Sequence, residues 1–214
     1  MNGEHGTIGV SRLEVGGPMA EAIVGLAGLA LAIIGLANVF PWLLASIATI
    51  ALGAAFVFES GAIGKRFSTL AREETAETTQ TSAAWGGITA GFLAGCAGIA
   101  LGILSILGIA TMVLVPVAVI VYGVALLMDS GTRLNLIEME SEHAGLHGMP
   151  LKVAKEEASV FAGIQALMGL AAITLGILAI IKIVPLTLSL AALVAVGATV
   201  VIFSSPIGRI MSLR

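Results

Sequence analysis

Charged side chains are scarce in this chain of 214 residues. Asp, Glu, Lys and Arg make up 11% of it, against roughly 25% in an average soluble domain. Four segments contain none of them: residues 22–58, 78–128, 158–181 and 183–208. A spanning helix needs about 20 mostly apolar residues, so these segments have room for six. With 58% hydrophobic residues and a mean hydropathy of +1.08, the composition predicts an all-α integral membrane protein with six transmembrane helices.

Three other absences limit the classes of function that the sequence allows. Cys96 is the single cysteine, which excludes an intrachain disulfide and a CxxC metal or redox site. The first eighteen residues lack the basic start and apolar core of a signal peptide, so we expect the first apolar run in the mature protein. The sequence has no GxSxG, P-loop, HExxH or dinucleotide motif. We therefore expect a non-enzymatic protein with no cofactor. The net charge of −3 is small and favours no particular partner; we expect no nucleic-acid partner.

What the sequence does contain is one apolar unit repeated three times. Residues 25–61, 95–131 and 169–205 align without gaps. The strongest signal is the spacing of glycines, since three pairs are each 28 residues apart: Gly25 and Gly53, Gly95 and Gly123, Gly169 and Gly197. Such a conserved spacing predicts three copies of one structural unit.

Each unit is predicted to be a tight transmembrane hairpin. Two apolar stretches of about 17 residues, or about 26 Å of helix, flank a short break at residues 38–42, 108–111 or 182–185. Pro41 and Pro185 stand at equivalent positions and suit the first turn of the returning helix. The second unit has Thr111 there and Pro116 five residues later, which predicts a kink in the fourth helix.

The charges predict the topology. Nine of the ten basic residues lie in the tails and linkers, and only Lys182 lies in a hairpin turn. The positive-inside rule then places both termini in the cytoplasm, with the protein in the plasma (inner) membrane of a prokaryote. The predicted organisation is an N-terminal tail (1–18), hairpin 1 (19–60), a linker (61–84), hairpin 2 (85–130), a linker (131–157), hairpin 3 (158–205) and a C-terminal tail (206–214).

Small residues recur along the first helix of every unit at offsets 0, 3, 7 and 10. This is the a/d spacing of a left-handed helix pair, and in lipid such residues let two backbones approach closely. We interpret the stripe as helix packing; a glycine-lined path for water or a small solute is the alternative. The glycines concerned are Gly25, Gly28, Gly35, Gly95, Gly98, Gly102, Gly169 and Gly176.

The three two-helix units, with a Gly-rich first helix, a turn with Pro and a central Gly in the second helix, resemble the HdeD family of small six-span membrane proteins. The resemblance covers the repeat units, about half of the chain. It implies an inner-membrane protein linked to acid-stress resistance in some bacteria, without catalytic residues to carry over.

Two acids occupy the same position of the first and second units. Glu59 and Asp129 each precede a serine shared by the three units, where the third unit has Phe203. We expect them at the cytoplasmic end of the second helix, where a negative charge faces the negative end of the helix dipole. They either mark the water interface and pair with nearby Lys or Arg, or form a proton- or cation-responsive pair near the pseudo-threefold axis.

The second linker holds the other candidate site. On a helix, Glu140, His143 and His147 share one face and could bind zinc or another divalent metal. A solvated or interfacial helix and a pH-sensing histidine pair are the alternatives.

Together these features predict an HdeD-like multi-pass protein that acts in stress (acid) resistance or as an accessory subunit. Its expected partners are the lipid bilayer, further copies of itself as a homo-oligomer, or a larger membrane complex. A small permease or proton-linked channel and a metal-binding accessory subunit are the alternatives.

Overall fold

The described part of the chain forms six helices. A computed structural model describes the backbone over residues 7–73, 78–143 and 149–204, and the side chains over residues 22–61, 89–131 and 159–202. The helices are α1 (Thr7–Leu36), α2 (Pro41–Glu73), α3 (Thr78–Ile106), α4 (Thr111–His143), α5 (Met149–Ile180) and α6 (Pro185–Ser204). No strand occurs in these ranges, so the predicted all-α class is confirmed.

Five of the helices contain segments long and apolar enough to cross a membrane: Pro41–Gly61, Thr89–Ile106, Thr111–Gly131, Ser159–Ile180 and Pro185–Ile202. In α1 the apolar part within the described side chains is shorter, Ala22–Leu36. The fold is that of an all-α membrane protein.

The first helix of each hairpin ends in the same backbone conformation. The second residue after the end of the helix has a positive φ: 66° at Asn38, 79° at Gly108 and 66° at Lys182. At the second hairpin the amide of Gly108 donates to Ser105 and the amide of Ile109 donates to Leu104, the two bonds of a Schellman motif. The predicted breaks are therefore helix C-caps.

The returning helices begin where the prolines predict. α2 starts at Pro41, α6 at Pro185 and α4 at Thr111, and the residue before each has a positive φ: 41° at Phe40, 45° at Ala110 and 48° at Val184. A non-glycine residue rarely adopts this conformation, least of all a β-branched one. α4 continues as one helix through Pro116.

The six helices form two layers around a pseudo-threefold. The second helices of the hairpins, α2, α4 and α6, contact one another, and each first helix lies between two of them. Thus α1 lies between α2 and α6, α3 between α2 and α4, and α5 between α4 and α6. We call α2, α4 and α6 the inner helices and α1, α3 and α5 the outer helices. Most of the buried core comes from the inner helices.

The expected end of the second helix in each of the first two units is wrong. α2 continues from Glu59 to Glu73, and α4 continues from Asp129 to His143. The backbone carbonyls around both acids are therefore bonded within the helix, so neither acid faces the negative end of a helix dipole. The physical reason is that leaving an apolar run does not end a helix when good helix formers follow.

Candidate functional site

All eight predicted packing glycines are buried. Their closest neighbours all belong to inner helices, and for four of the eight this is the inner helix of the preceding hairpin: Gly95, Gly102, Gly169 and Gly176. A Cβ on Gly95 would lie 2.6 Å from the carbonyl oxygen of Gly53 on α2. A Cβ on Gly169 would lie 2.7 Å from the carbonyl oxygen of Gly123 on α4. The inner helix of one hairpin is thus in backbone contact with the outer helix of the next.

The contact that closes the ring, between α6 and α1, is built differently. A Cβ on Gly25 would meet the Val200 side chain at 2.9 Å, and one on Gly197 would meet the Cβ of Leu29 at 3.2 Å. No carbonyl oxygen lies within the nearest contacts of either glycine. The interface between α6 and α1 is therefore formed mainly by side chains, whereas the other two interfaces bring two glycine backbones together.

Within hairpin 2, Gly98 makes room for Tyr122. The phenol is 0% exposed, it donates a hydrogen bond of 2.6 Å to the carbonyl of Thr49 on α2, and its ring stacks on Phe56 at 5.1 Å. A methyl group on Gly98 would overlap the Tyr122 oxygen. Because the neighbouring side chains fill the space beside this glycine, the structure favours packing over a solute path at this position.

Most hydroxyls in the core are satisfied locally. Thr49, Ser189 and Thr199 each donate to the carbonyl four residues earlier in their own helix. Ser46 and Ser105 make a 2.7 Å hydrogen bond between α2 and α3. These groups explain how polar residues are accommodated and offer no reactive arrangement.

One buried polar group is incompletely satisfied. Gln165 on α5 is 1% exposed, and its Nε2 donates to Oδ2 of Asp129 on α4 at 2.6 Å. Its Oε1 is buried and has no hydrogen-bond partner. Asp129 is itself only 9% exposed. We call these two residues the acid–amide pair. The hydrogen bond places the Asp129 carboxylate in the interface between α4 and α5.

The equivalent position of the first hairpin differs. Glu59 on α2 is also 9% exposed, but Gly91 on α3 stands where Gln165 stands on α5, four residues before the contact glycine of the helix. A Cβ on Gly91 would meet Ser60 Oγ at 2.5 Å. The acid of hairpin 1 therefore has no amide opposite it in this position.

The predicted metal ligands lie beyond the side chains that the structure describes. Glu140 and His143 belong to the last turns of α4, with side chains outside the described set, and His147 lies outside the described residues. Among the described side chains, no group of three potential ligands of the His, Cys, Asp and Glu type occurs. Metal binding by this trio stays a prediction.

The sequence alone does not reveal the role of Gln165 in this site. Gln165 is visible as a polar residue inside a span, but its partner lies on another hairpin. The pairing can be recognised only once Gly123 is known to contact Gly169, because Asp129 then follows the first glycine by six residues and Gln165 precedes the second by four.

Fold and site together define an all-α, multi-pass membrane protein whose core is packed by glycine contacts and, among the described side chains, holds the acid–amide pair. Comparison with known proteins adds no closer assignment, since no family model, curated protein or solved structure matches the chain.

Proposed function

We propose that the protein is a non-enzymatic, HdeD-like protein of the plasma (inner) membrane that acts in acid-stress resistance. The observation that carries the proposal is the ring of three closely packed hairpins, each with a small-residue outer helix and an inner helix starting at Pro or Thr. This is the architecture on which the resemblance to that family rests. Two buried acids, Glu59 and Asp129, in a mostly apolar bundle support a role under acid conditions.

The orientation belongs to the same proposal. Nine of the ten Lys and Arg residues stand in the tails, in the linkers or in the helix extensions beyond the apolar spans, and Lys182 stands in a turn. By the positive-inside rule the termini and linkers are cytoplasmic, and the three short turns face the opposite side.

Survival of acid challenge tests the role directly. A strain that lacks the gene should survive a shift to acid medium less well than the same strain carrying the gene on a plasmid. A plasmid encoding Gly98→Leu, which disrupts the core, should fail to restore survival, whereas Gly163→Ala, at a position with nothing within 4 Å, should restore it. Equal survival of the deletion strain and its parent would refute the proposed role.

The accessory role has its own measurement. Native mass spectrometry of the protein released from its membrane reports stoichiometric partners, further copies and bound metal together. A partner at fixed stoichiometry would assign the protein to a larger complex. Bound metal that is lost on His147→Ala would assign the metal-binding function to the second linker.

A small proton-linked permease is the second candidate, and the acid–amide pair is the observation that favours it. Ionisable groups buried in a membrane bundle often mark proton or ion pathways. Purified protein in liposomes loaded with a pH-sensitive dye tests the idea, with Asp129→Asn as the matched variant. Proton flux equal to that of protein-free liposomes would rule out the permease.

A further inference from the structure

We propose that the three hairpin turns lie inside the bilayer, at the boundary between headgroups and acyl chains, and that lipid covers the apolar end of the bundle that they form. Each turn reverses the chain within four residues: 37–40, 107–110 and 181–184. Six large apolar side chains of the turns, which we call the turn face, are each between 49% and 77% exposed: Val39, Phe40, Leu107, Ile109, Ile183 and Val184. The proposal goes beyond the function proposed above, since it concerns the depth of the turns and not the side of the membrane that they face.

The three turns lie at the same end of the bundle. Ser46, near the start of α2, shares a hydrogen bond of 2.7 Å with Ser105 at the end of α3, which places the first and second turns at one end. A Cβ on Gly35, at the end of α1, would lie 2.8 Å from the side chain of Leu190 near the start of α6, which places the third turn there too. The exposed apolar side chains are therefore gathered on one surface.

The helix lengths limit how far the turns extend. Glu59 and Asp129 each follow the first residue of their helix by 18 positions, or about 27 Å, less than the hydrocarbon thickness of about 30 Å. The first basic residues of the same helices, Lys65 and Arg133, follow that residue by 24 and 22 positions, or about 36 and 33 Å. The bilayer with its headgroups is about 40–45 Å thick. With the basic residues in one headgroup layer, the turns end inside the opposite one.

The backbone of the turns pairs many of its own polar groups, as a site with little water requires. The amides of residues 107–109 donate to carbonyls at the end of α3, and the amides of residues 181–183 donate to carbonyls at the end of α5. The hydroxyl of Thr111 donates to the carbonyl of Ser105 at 3.0 Å. The inner helices of the first and third hairpins begin with proline, which has no N–H to leave unpaired.

The chemistry of this end matches lipid. Lys182 is the single charged residue in the three turns, and its long stem allows the ammonium group to reach a headgroup phosphate while the neighbouring apolar side chains stay deeper. Trp42, next to the first turn, is 39% exposed, and tryptophan is enriched at the membrane interface. A second copy with the same orientation in the same bilayer presents its own turn face in the same direction, so the two cannot cover each other face to face.

Spin labels at the turns measure their depth. Cys96 is the single cysteine, so Cys96→Ala gives a background for Val39→Cys, Ile109→Cys and Ile183→Cys, introduced one at a time. The labelled proteins are placed in vesicles of phosphatidylcholine and phosphatidylglycerol, and collisions are measured with oxygen, which concentrates in hydrocarbon, and with a water-soluble nickel chelate. Oxygen collisions should exceed nickel collisions at all three positions. The wild-type protein labelled at Cys96, exposed within the span Thr89–Ile106, is the control for a label facing lipid.

Two results of this experiment would overturn the proposal. More collisions with nickel than with oxygen would place the turns in water. Few collisions with either reagent at the turns, together with many oxygen collisions at Cys96, would show that protein covers the turn face, either a second copy or another partner.

Fluorescence of Trp42 gives a readout that leaves the turns unchanged and so holds even where a cysteine variant fails to fold. Trp85→Phe makes Trp42 the single tryptophan. Lipids brominated near the headgroup should quench its emission more strongly than iodide in the water phase. Stronger quenching by iodide would place this end of the bundle in water and overturn the proposal.

Discussion

Replacement of Gly98 by alanine is the sharpest test of the packing described above. The added methyl group would overlap the hydroxyl of Tyr122. The phenol cannot easily move away, because it is fully buried, stacked on Phe56 and hydrogen-bonded to the carbonyl of Thr49. Gly98→Ala must therefore displace the ring or push the α3 and α4 backbones apart.

Three contributions set the change in the free energy of unfolding that Gly98→Ala causes. Overpacking a close-packed core costs about 1–3 kcal/mol, and a buried hydroxyl that loses its partner costs about 1–3 kcal/mol more. The higher helix propensity of alanine offsets about 1 kcal/mol. We expect the free energy of unfolding to fall by about 3 kcal/mol, the middle of the range given by these terms.

Unfolding in detergent micelles, followed by tryptophan fluorescence, measures this change. Gly163→Ala is the matched control, because nothing lies within 4 Å of the new methyl group; it carries the same gain in helix propensity without the overlap and should raise the free energy of unfolding by about 1 kcal/mol. Introducing Gly98→Ala into a Tyr122→Phe background should cost less than in the wild type, since the atom that the methyl group meets first is gone. If Gly98→Ala is as stable as Gly163→Ala, or costs the same in both backgrounds, the reasoning is refuted.

Three further changes can be measured by the same unfolding assay. Val184→Gly should raise the free energy of unfolding by about 1 kcal/mol, because a β-branched residue is strained at a φ of 48°; a loss of stability would contradict this. Gly123→Ala should cost more than Gly197→Ala, since its methyl would lie 2.7 Å from a backbone oxygen on α5 and the other 3.2 Å from a side-chain carbon; equal costs would contradict the difference between the interfaces. Ser46→Ala should cost about 1 kcal/mol through loss of the 2.7 Å bond to Ser105, and an unchanged stability would show that this bond contributes nothing.

The parts of the fold that can be predicted are those set by local sequence. The break before Pro41 and Pro185 is visible because proline suits the first helical turn, and the buried glycines are visible because their spacing repeats. The C-terminal ends of α2 and α4 cannot be predicted from the local sequence. Glycine at 61 and 131 and the first charges indicate the end of an apolar run, yet both helices continue.

The candidate site is less predictable because it depends on contacts between hairpins. Glu59 and Asp129 are equivalent in sequence, so the repeat predicts equal roles. Their surroundings differ through one residue on the neighbouring helix, Gly91 in one case and Gln165 in the other. Which helix supplies that neighbour is a property of the packed ring.

The placement of each outer helix between two inner helices has a consequence for biogenesis. α3 and α5 each contact an inner helix made just before them and one made just after, so hairpins 2 and 3 can assemble as they leave the ribosome. α1 is the exception, because one of its two neighbours is α6, which follows the five other described helices in the chain. The face of α1 that contacts α6 must therefore stay uncovered by its partner until α6 has been synthesised. A nascent chain stalled before α6 would expose that face to membrane quality control.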